Sequence, residues 1–270
     1  MVMKKRTVIV LVLAVITQCG GAFADDLGST AVKDITGLAT DPLSRAAGAG
    51  DLVWQDYKNF YTPSNLLSVG AGFAGAAALA NDRGDRVFVR SFQEHFNSPN
   101  SNEFFHASRT FAYPLVQFPI YAGAYLYGEV DKSSVMAASL SEWSQRSVRT
   151  YMLGGPHVLL YQNVIGSHRP DEGSSTWNAF NDNDGISYSS FAGAVPFINA
   201  AKMNDNFLIK LLLYGGSTLA GLSAIHADKA YLTQAALGWW IAYFSASSVD
   251  QTQKVRISVT PTGAEVSIPF

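Results

Sequence analysis

Hydrophobic positions along this chain fall into blocks divided by short polar breaks. The run over 66–80 is almost uncharged and rich in Gly and Ala, and it ends at Asn81-Asp82-Arg83-Gly84-Asp85-Arg86. A second run, 111–127, contains Pro114 and Pro119, which should set its start or kink it. The stretch 135–164 reads as a long helix, with charge confined to Glu142, Arg146 and Arg149 in its first half. The polar segment 166–190, rich in Gly, Asn, Asp and Ser, reads as a loop. Helical segments over 191–203, 207–224 and 229–246 follow, and His226 falls a helical turn before Ala230 if that periodicity runs through. The tail changes period. Residues 255–259 and 265–270 alternate around Thr260-Pro261-Thr262-Gly263-Ala264, which predicts a β-hairpin folded on the helical body.

The start of the chain is of another kind. Lys4, Lys5 and Arg6 precede an apolar run over 7–16, and Ala22-Phe23-Ala24 offers small residues where a signal peptidase reads. The run is too short to span a bilayer, so 1–24 is expected to be a secretory signal. Lipid attachment at Cys19 is disfavoured by Gln18, where a small residue is wanted. Cleavage after Ala24 would remove the single cysteine and three positive charges, taking the net from −2 to −5. The expected organisation is a signal over 1–24, an N-terminal arm over 25–63, a helical domain over 64–249 and the hairpin over 250–270. The expected location is the periplasm or cell envelope.

Composition narrows the rest. With 48% hydrophobic and 15% charged residues, the chain is too apolar to be disordered. It has no basic surplus for a nucleic-acid face. Hydropathy leaves membrane-embedded and soluble bundles equally open, since the runs fall just short of ~20 residues. The Trp239-Trp240-Ile241-Ala242-Tyr243-Phe244 cluster suits an interfacial aromatic belt or a core patch equally. His95, His106, His157, His168 and His226 show no metal-ligand spacing, and neither a metal nor a cofactor is expected. Asp171, Glu172, Asp182 and Asp184 read as turn-forming loop residues rather than a calcium site.

The most informative string is Gln162-Asn163-Val164-Ile165-Gly166-Ser167-His168-Arg169-Pro170-Asp171, in which an apolar helix delivers Arg-Pro into a polar loop. The chain re-enters a helix through Ser187-Tyr188-Ser189-Ser190, and a later helix carries Ser223 and runs on through Lys229 to Gly238. Over residues 90–247 this layout resembles the type 2 phosphatidic acid phosphatase / vanadium haloperoxidase superfamily. That resemblance implies an all-α helical bundle and a site of three motifs, K-x6-RP, PSGH and SR-x5-H-x3-D. Arg169, Pro170, Ser190 and Ser223 match. The phosphate-binding Lys falls on Gln162, the leaving-group His on Ala192, the phosphate Arg on Ala224, the nucleophilic His on Ala230 and its orienting Asp on Gln234.

Without a nucleophile at Ala230 the phosphohistidine route is closed. Ala192 gives no general acid, a loss of about 10²–10⁴ in rate. Arg169 alone is a weak clamp for a phosphate. His168 and His226 are the candidate substitutes for the lost histidines, and Arg169 and Ser190 the candidate ligand-binding residues; Arg169 would otherwise cap the preceding helix. The expectation is a catalytically inactive, exported relative of lipid-phosphate phosphatases. Its role would be to bind a lipid or phosphate-bearing ligand or to serve as a structural envelope protein associated with the membrane. One alternative is an active acid or lipid phosphatase with a nonstandard site. Another is an accessory protein whose hairpin pairs with a partner's sheet edge.

Overall fold

The computed structural model describes residues 42–81, 84–96 and 98–252, with the backbone alone of 256–260 and 263–267. The expected signal and the first part of the arm lie outside the described residues. Between 42 and 252 the protein is all-helical.

Four of the first five described helices open on a proline in the first turn: α1 (Pro42–Phe60), α2 (Pro63–Leu79), α4 (Pro99–Phe111) and α5 (Pro114–Val130). Proline suits that place because its missing N–H would be unpaired there anyway. Between α2 and α4 lies α3 (Asp85–Phe96), and Ser98 and Ser101 close a capping box at the start of α4. Pro114 sets a helix start, as the sequence suggests, whereas Pro119 sits within α5. The 31-residue α6 (Val135–Ile165) begins at the Ser134 cap and stops at Gly166, which takes φ +54°.

Then come α7 (Tyr188–Lys202), α8 (Phe207–Ser217), α9 (Leu219–His226) and α10 (Leu232–Gln251). The expected single helix over 207–224 is divided at Thr218, after Gly215-Gly216, two poor helix formers, while the Ser217 hydroxyl bonds back to the Tyr214 carbonyl at 2.6 Å. The expected continuity from His226 to Ala230 is likewise absent. Asp228 adopts φ +56°, so the two residues do not share a helix face. The later part of the expected arm contains a helix, as its small, Ala-rich composition allows. Residues 42–60 are helix α1, with Phe60 and Asp56 buried in the body.

The core lies where α6, α7 and α10 meet, around Leu153, Val158, Phe191, Ile198 and Ile241. Internal prolines in α6 and α7 each strip a carbonyl of its donor four residues back. Pro196 frees the Ala192 carbonyl, which accepts from Gln117 Nε2 at 3.1 Å and the Tyr151 hydroxyl at 3.0 Å. Pro156 frees the Met152 carbonyl, which accepts from the Tyr57 hydroxyl at 3.0 Å. Neighbouring helices thus restore bonds that the sequence removes.

Small residues let the helices approach closely. A Cβ on Gly72 of α2 would lie 2.3 Å from the Trp240 indole, whereas one on Gly75, a turn further on, would meet nothing within 4 Å. Gly75→Ala should therefore stabilise the fold by about 1 kcal/mol through helix propensity. Gly72→Ala should lower stability, because the indole must abandon its bond to the Ser68 carbonyl. Urea unfolding of the two variants should give shifts of opposite sign.

Candidate functional site

The three motif-bearing segments meet at one end of the bundle, at the end of α6, the start of α7 and the α9–α10 junction. Gln162 Nε2 donates to the Ile186 carbonyl at 2.9 Å. The Ser187 N–H donates to the Gln234 carbonyl at 3.0 Å, and the Ser190 hydroxyl to the Ala235 carbonyl at 2.6 Å. Gln234, in the orienting carboxylate's position, accepts from the Tyr231 N–H and donates from Nε2 to the His168 carbonyl at 2.8 Å and Ser167 Oγ at 3.3 Å. Gln162 and Gln234 therefore fasten the loop to the helices around it.

The space between these segments is filled. Ala192 and Ala230 have 0% exposure and Ala224 has 1%, so none of them borders room for even a water molecule. Ser190 is equally buried and its hydroxyl is already engaged. The chain keeps the segments tight with glycines. A Cβ on Gly221 would lie 2.7 Å from Ser190 Oγ, and one on Gly238 would lie 2.3 Å from the Ser187 carbonyl oxygen. Ser190, expected to bind a ligand, turns its hydroxyl to α10 instead.

The polar loop over 166–187 carries the remaining charge. Arg169 pairs with Asp184 at 2.9 Å rather than capping α6. Burial works to lower the Arg169 pKa, but the hydrogen bond and charge of Asp184, with Glu172 and Asp171, lift it above the ordinary value. His168 Nδ1 lies 2.5 Å from Asp182, and Lys229 Nζ lies 2.5 Å from Asp171. The hydrogen bond from Lys229 holds the Asp171 carboxyl below its usual range. Asp184 thus occupies Arg169, the one cation at a motif position, as an anionic ligand would. His226 is elsewhere, stacked on Phe105 at 4.6 Å with Nε2 3.2 Å from the Phe96 carbonyl. Ser223 donates to the Phe105 carbonyl at 2.5 Å. The structure does not bring His168, His226 and Arg169 together as one site. Among the described residues no group of three or more His, Cys, Asp or Glu could hold a metal ion.

Asp85 joins the site without being among its expected residues. From α3 it reaches the start of α10, accepting from the Thr233 N–H at 3.1 Å and the Thr233 hydroxyl at 2.6 Å. A carboxylate there meets the positive end of the helix dipole. Its one sequence signal is a turn-ending Asp opening an amphipathic helix. Burial pushes its pKa up, only partly offset by the Thr233 bonds. The folded state thus binds the Asp85 proton more tightly than the unfolded state does. This residue's contribution should therefore fall as pH rises from its ordinary value through the raised one, and Asp85→Asn should flatten that part of the stability–pH curve in chemical unfolding.

No family model, curated protein or solved structure matches this chain.

Proposed function

We propose that this protein is an exported, catalytically inactive member of the type 2 phosphatidic acid phosphatase kind, acting as a structural protein of the cell envelope. One observation carries the reading. The segments bearing Gln162–Arg169, Ser187–Ser190 and Ser223–Gln234 converge at one end of the bundle, and Ala192, Ala224 and Ala230, which stand at the positions of the family's chemistry in the resemblance, are enclosed with no open surface. A phosphate needs several converging cations and donors, and here Arg169 is tied to Asp184. A structural role is favoured over ligand capture between the three motifs because that space is closed; the loop face around Arg169 is what remains for a lipid or phosphate-bearing group.

The test is phosphate release from phosphatidic acid, an isoprenyl pyrophosphate and a chromogenic phosphate ester by the chain matured at Asp25, with Arg169→Ala alongside. No turnover above the Arg169→Ala background is expected from folded protein. Turnover that disappears in Arg169→Ala would mean that the chemistry has been rebuilt on other residues, and the alternative of an active phosphatase would replace this reading.

The accessory role belongs to the tail. The backbone of Arg256–Thr260 runs antiparallel to Gly263–Ser267, pairing Ile257 with Val266, which supports the C-terminal hairpin. Two strands alone are marginal in water and call for something to pack on, either the helical body or a partner's sheet edge.

A further inference from the structure

Charge is absent from long stretches of several neighbouring helices, although α4 brings Arg109 beside two of them, since Phe105 meets Ser223 and Ala112 lies next to the Gly193–Ala220 contact. Six long helical stretches contain no Asp, Glu, Lys or Arg; apart from 110–128 in α5, they are residues 59–81, 150–168, 185–201, 211–227 and 230–249, which are 23, 19, 17, 17 and 20 residues long. They lie level with one another. Asn59 Nδ2 reaches the Ser248 carbonyl, Trp240 the Ser68 carbonyl, Trp239 the Ser217 hydroxyl and Gln234 the His168 carbonyl. Ion pairs close the two ends. Arg149–Asp56 and Arg146–Asp250 lie at one end, and Lys229–Asp171 and Arg169–Asp184 at the other. The continuous helical parts of these stretches, 63–79, 150–165, 188–201 and 232–249, are 17, 16, 14 and 18 residues long, which at ~1.5 Å per residue make a layer about 20–27 Å thick. The hydrocarbon core of a bilayer is ~30 Å thick.

The outward faces of this layer do not suit water. Of α2 only Val69 and Ala76 are buried, and its remaining face has Leu66, Leu67 and Leu79 among Gly, Ala and Ser, with no charge. A surface helix in water turns charged and polar residues outward. Leu67 is 76% exposed, Leu159 of α6 55% and Leu212 of α8 72%. These helices sit on different sides of the core. α2 lies against α10 through Trp240, whereas a Cβ on Gly216 of α8 would come within 3.1 Å of Phe197 on α7. One docked partner would cover one side; a surrounding apolar medium covers all of them. Taken alone, one stretch among the described residues, Phe207–His226, is long and apolar enough to cross a membrane, with 39% of it buried. It is the shared level of the five stretches that marks out a layer. α5, charge-free from Pro114 to Gly128, starts beside the middle of the 185–201 stretch, where Gln117 reaches the Ala192 carbonyl, and runs along the charged half of α6 past the end of this layer, with Leu115 and Val130 exposed.

We infer that the bundle spans a lipid bilayer, with the Arg169–Asp184 loop face at one interface and the Arg146–Asp250 end at the other. The inference deepens the structural envelope role proposed for this protein, by giving its place in the membrane, and is independent of whether it turns over phosphate. Its test uses single cysteines in a Cys19→Ser background of the full chain, in membranes from expressing cells that have been opened by sonication. Leu67→Cys and Leu159→Cys would occupy positions that are open to solvent unless lipid covers them; Glu172→Cys and Asp205→Cys are exposed controls at the two ends. A water-soluble maleimide should label both controls readily and both mid-layer cysteines on the order of tenfold more slowly, because the reacting thiolate needs water. Detergent should abolish the difference, and the chain should stay in the membrane pellet in alkaline carbonate. Equal labelling without detergent, or release by carbonate, would overturn the proposal. Protection that survives detergent would also overturn it, since a protein and not lipid would then be the cover.

Discussion

Arg149→Ala should be the most damaging single substitution at the end of the bundle away from the motif loop, lowering stability by about 3–5 kcal/mol. Arg149 holds Asp56 through two bonds, Nε to Oδ2 at 2.8 Å and Nη2 to Oδ1 at 2.6 Å, and it also bonds the Thr252 hydroxyl. Asp56 is fully buried, so removing the guanidinium leaves a carboxylate with neither water nor a cation. The second partner cannot substitute, because the Thr252 hydroxyl is a single neutral donor at 2.6 Å. Arg149→Met combined with Asp56→Asn removes both charges and should recover much of the loss. Thermal or urea unfolding of the single and double variants measures it. A double variant no more stable than Arg149→Ala would mean that the pair contributes directly and not merely through the cost of orphaning Asp56.

Ala230→His should be nearly as harmful, and it should confer no phosphatase activity. In the resemblance that position belongs to the nucleophile, so the substitution is the natural attempt at repair. Ala230 has no exposed surface, and the helix after it starts under the Asp85 cap and the Gln234 tether. An imidazole there would overpack a closed space, at about 1–3 kcal/mol. Lacking a partner, its ring nitrogens would add a penalty of about 1–3 kcal/mol. Restoring Gln162→Lys, Ala192→His, Ala224→Arg and Gln234→Asp together with it should unfold the protein rather than revive catalysis, because Ala192 and Ala224 are as enclosed as Ala230. Unfolding curves and phosphate release on the same preparations check both statements. A folded, active quintuple variant would show that the space between the motifs opens more readily than its packing indicates.

Much of the helical layout was legible in the sequence. The stretch 135–164 becomes α6 at Val135–Ile165, and the run over 111–127 becomes α5 a few residues later, once Pro114 is placed at its first turn. α3 and α4 were harder to read, because their aromatic residues, Phe88, Phe92 and Phe105, are interleaved with charge and form a smaller cluster. The break at Thr218 and the turn at Asp228 depend on backbone angles that no hydrophobic periodicity encodes. At the site, the lost residue types could be read directly, but what replaced them could not. That Gln234 binds a carbonyl 66 positions away, or that Asp184 takes Arg169, follows from chain crossings and not from spacing.

The contact between Asp56 and Thr252 also sets an order of events during biosynthesis, since it joins residues 196 positions apart. Helix α1 leaves the ribosome early, yet the partners that neutralise and seat it are added later, Arg149 midway and Thr252 near the end. At about 5–20 residues per second, Asp56 waits roughly 5–20 s for Arg149, 93 positions on, and roughly 10–40 s for Thr252. During that interval the apolar side of α1 has no completed α10 to lie against. A chain halted before residue 252 would therefore present a holding chaperone with its earliest helix as well as its unfinished end.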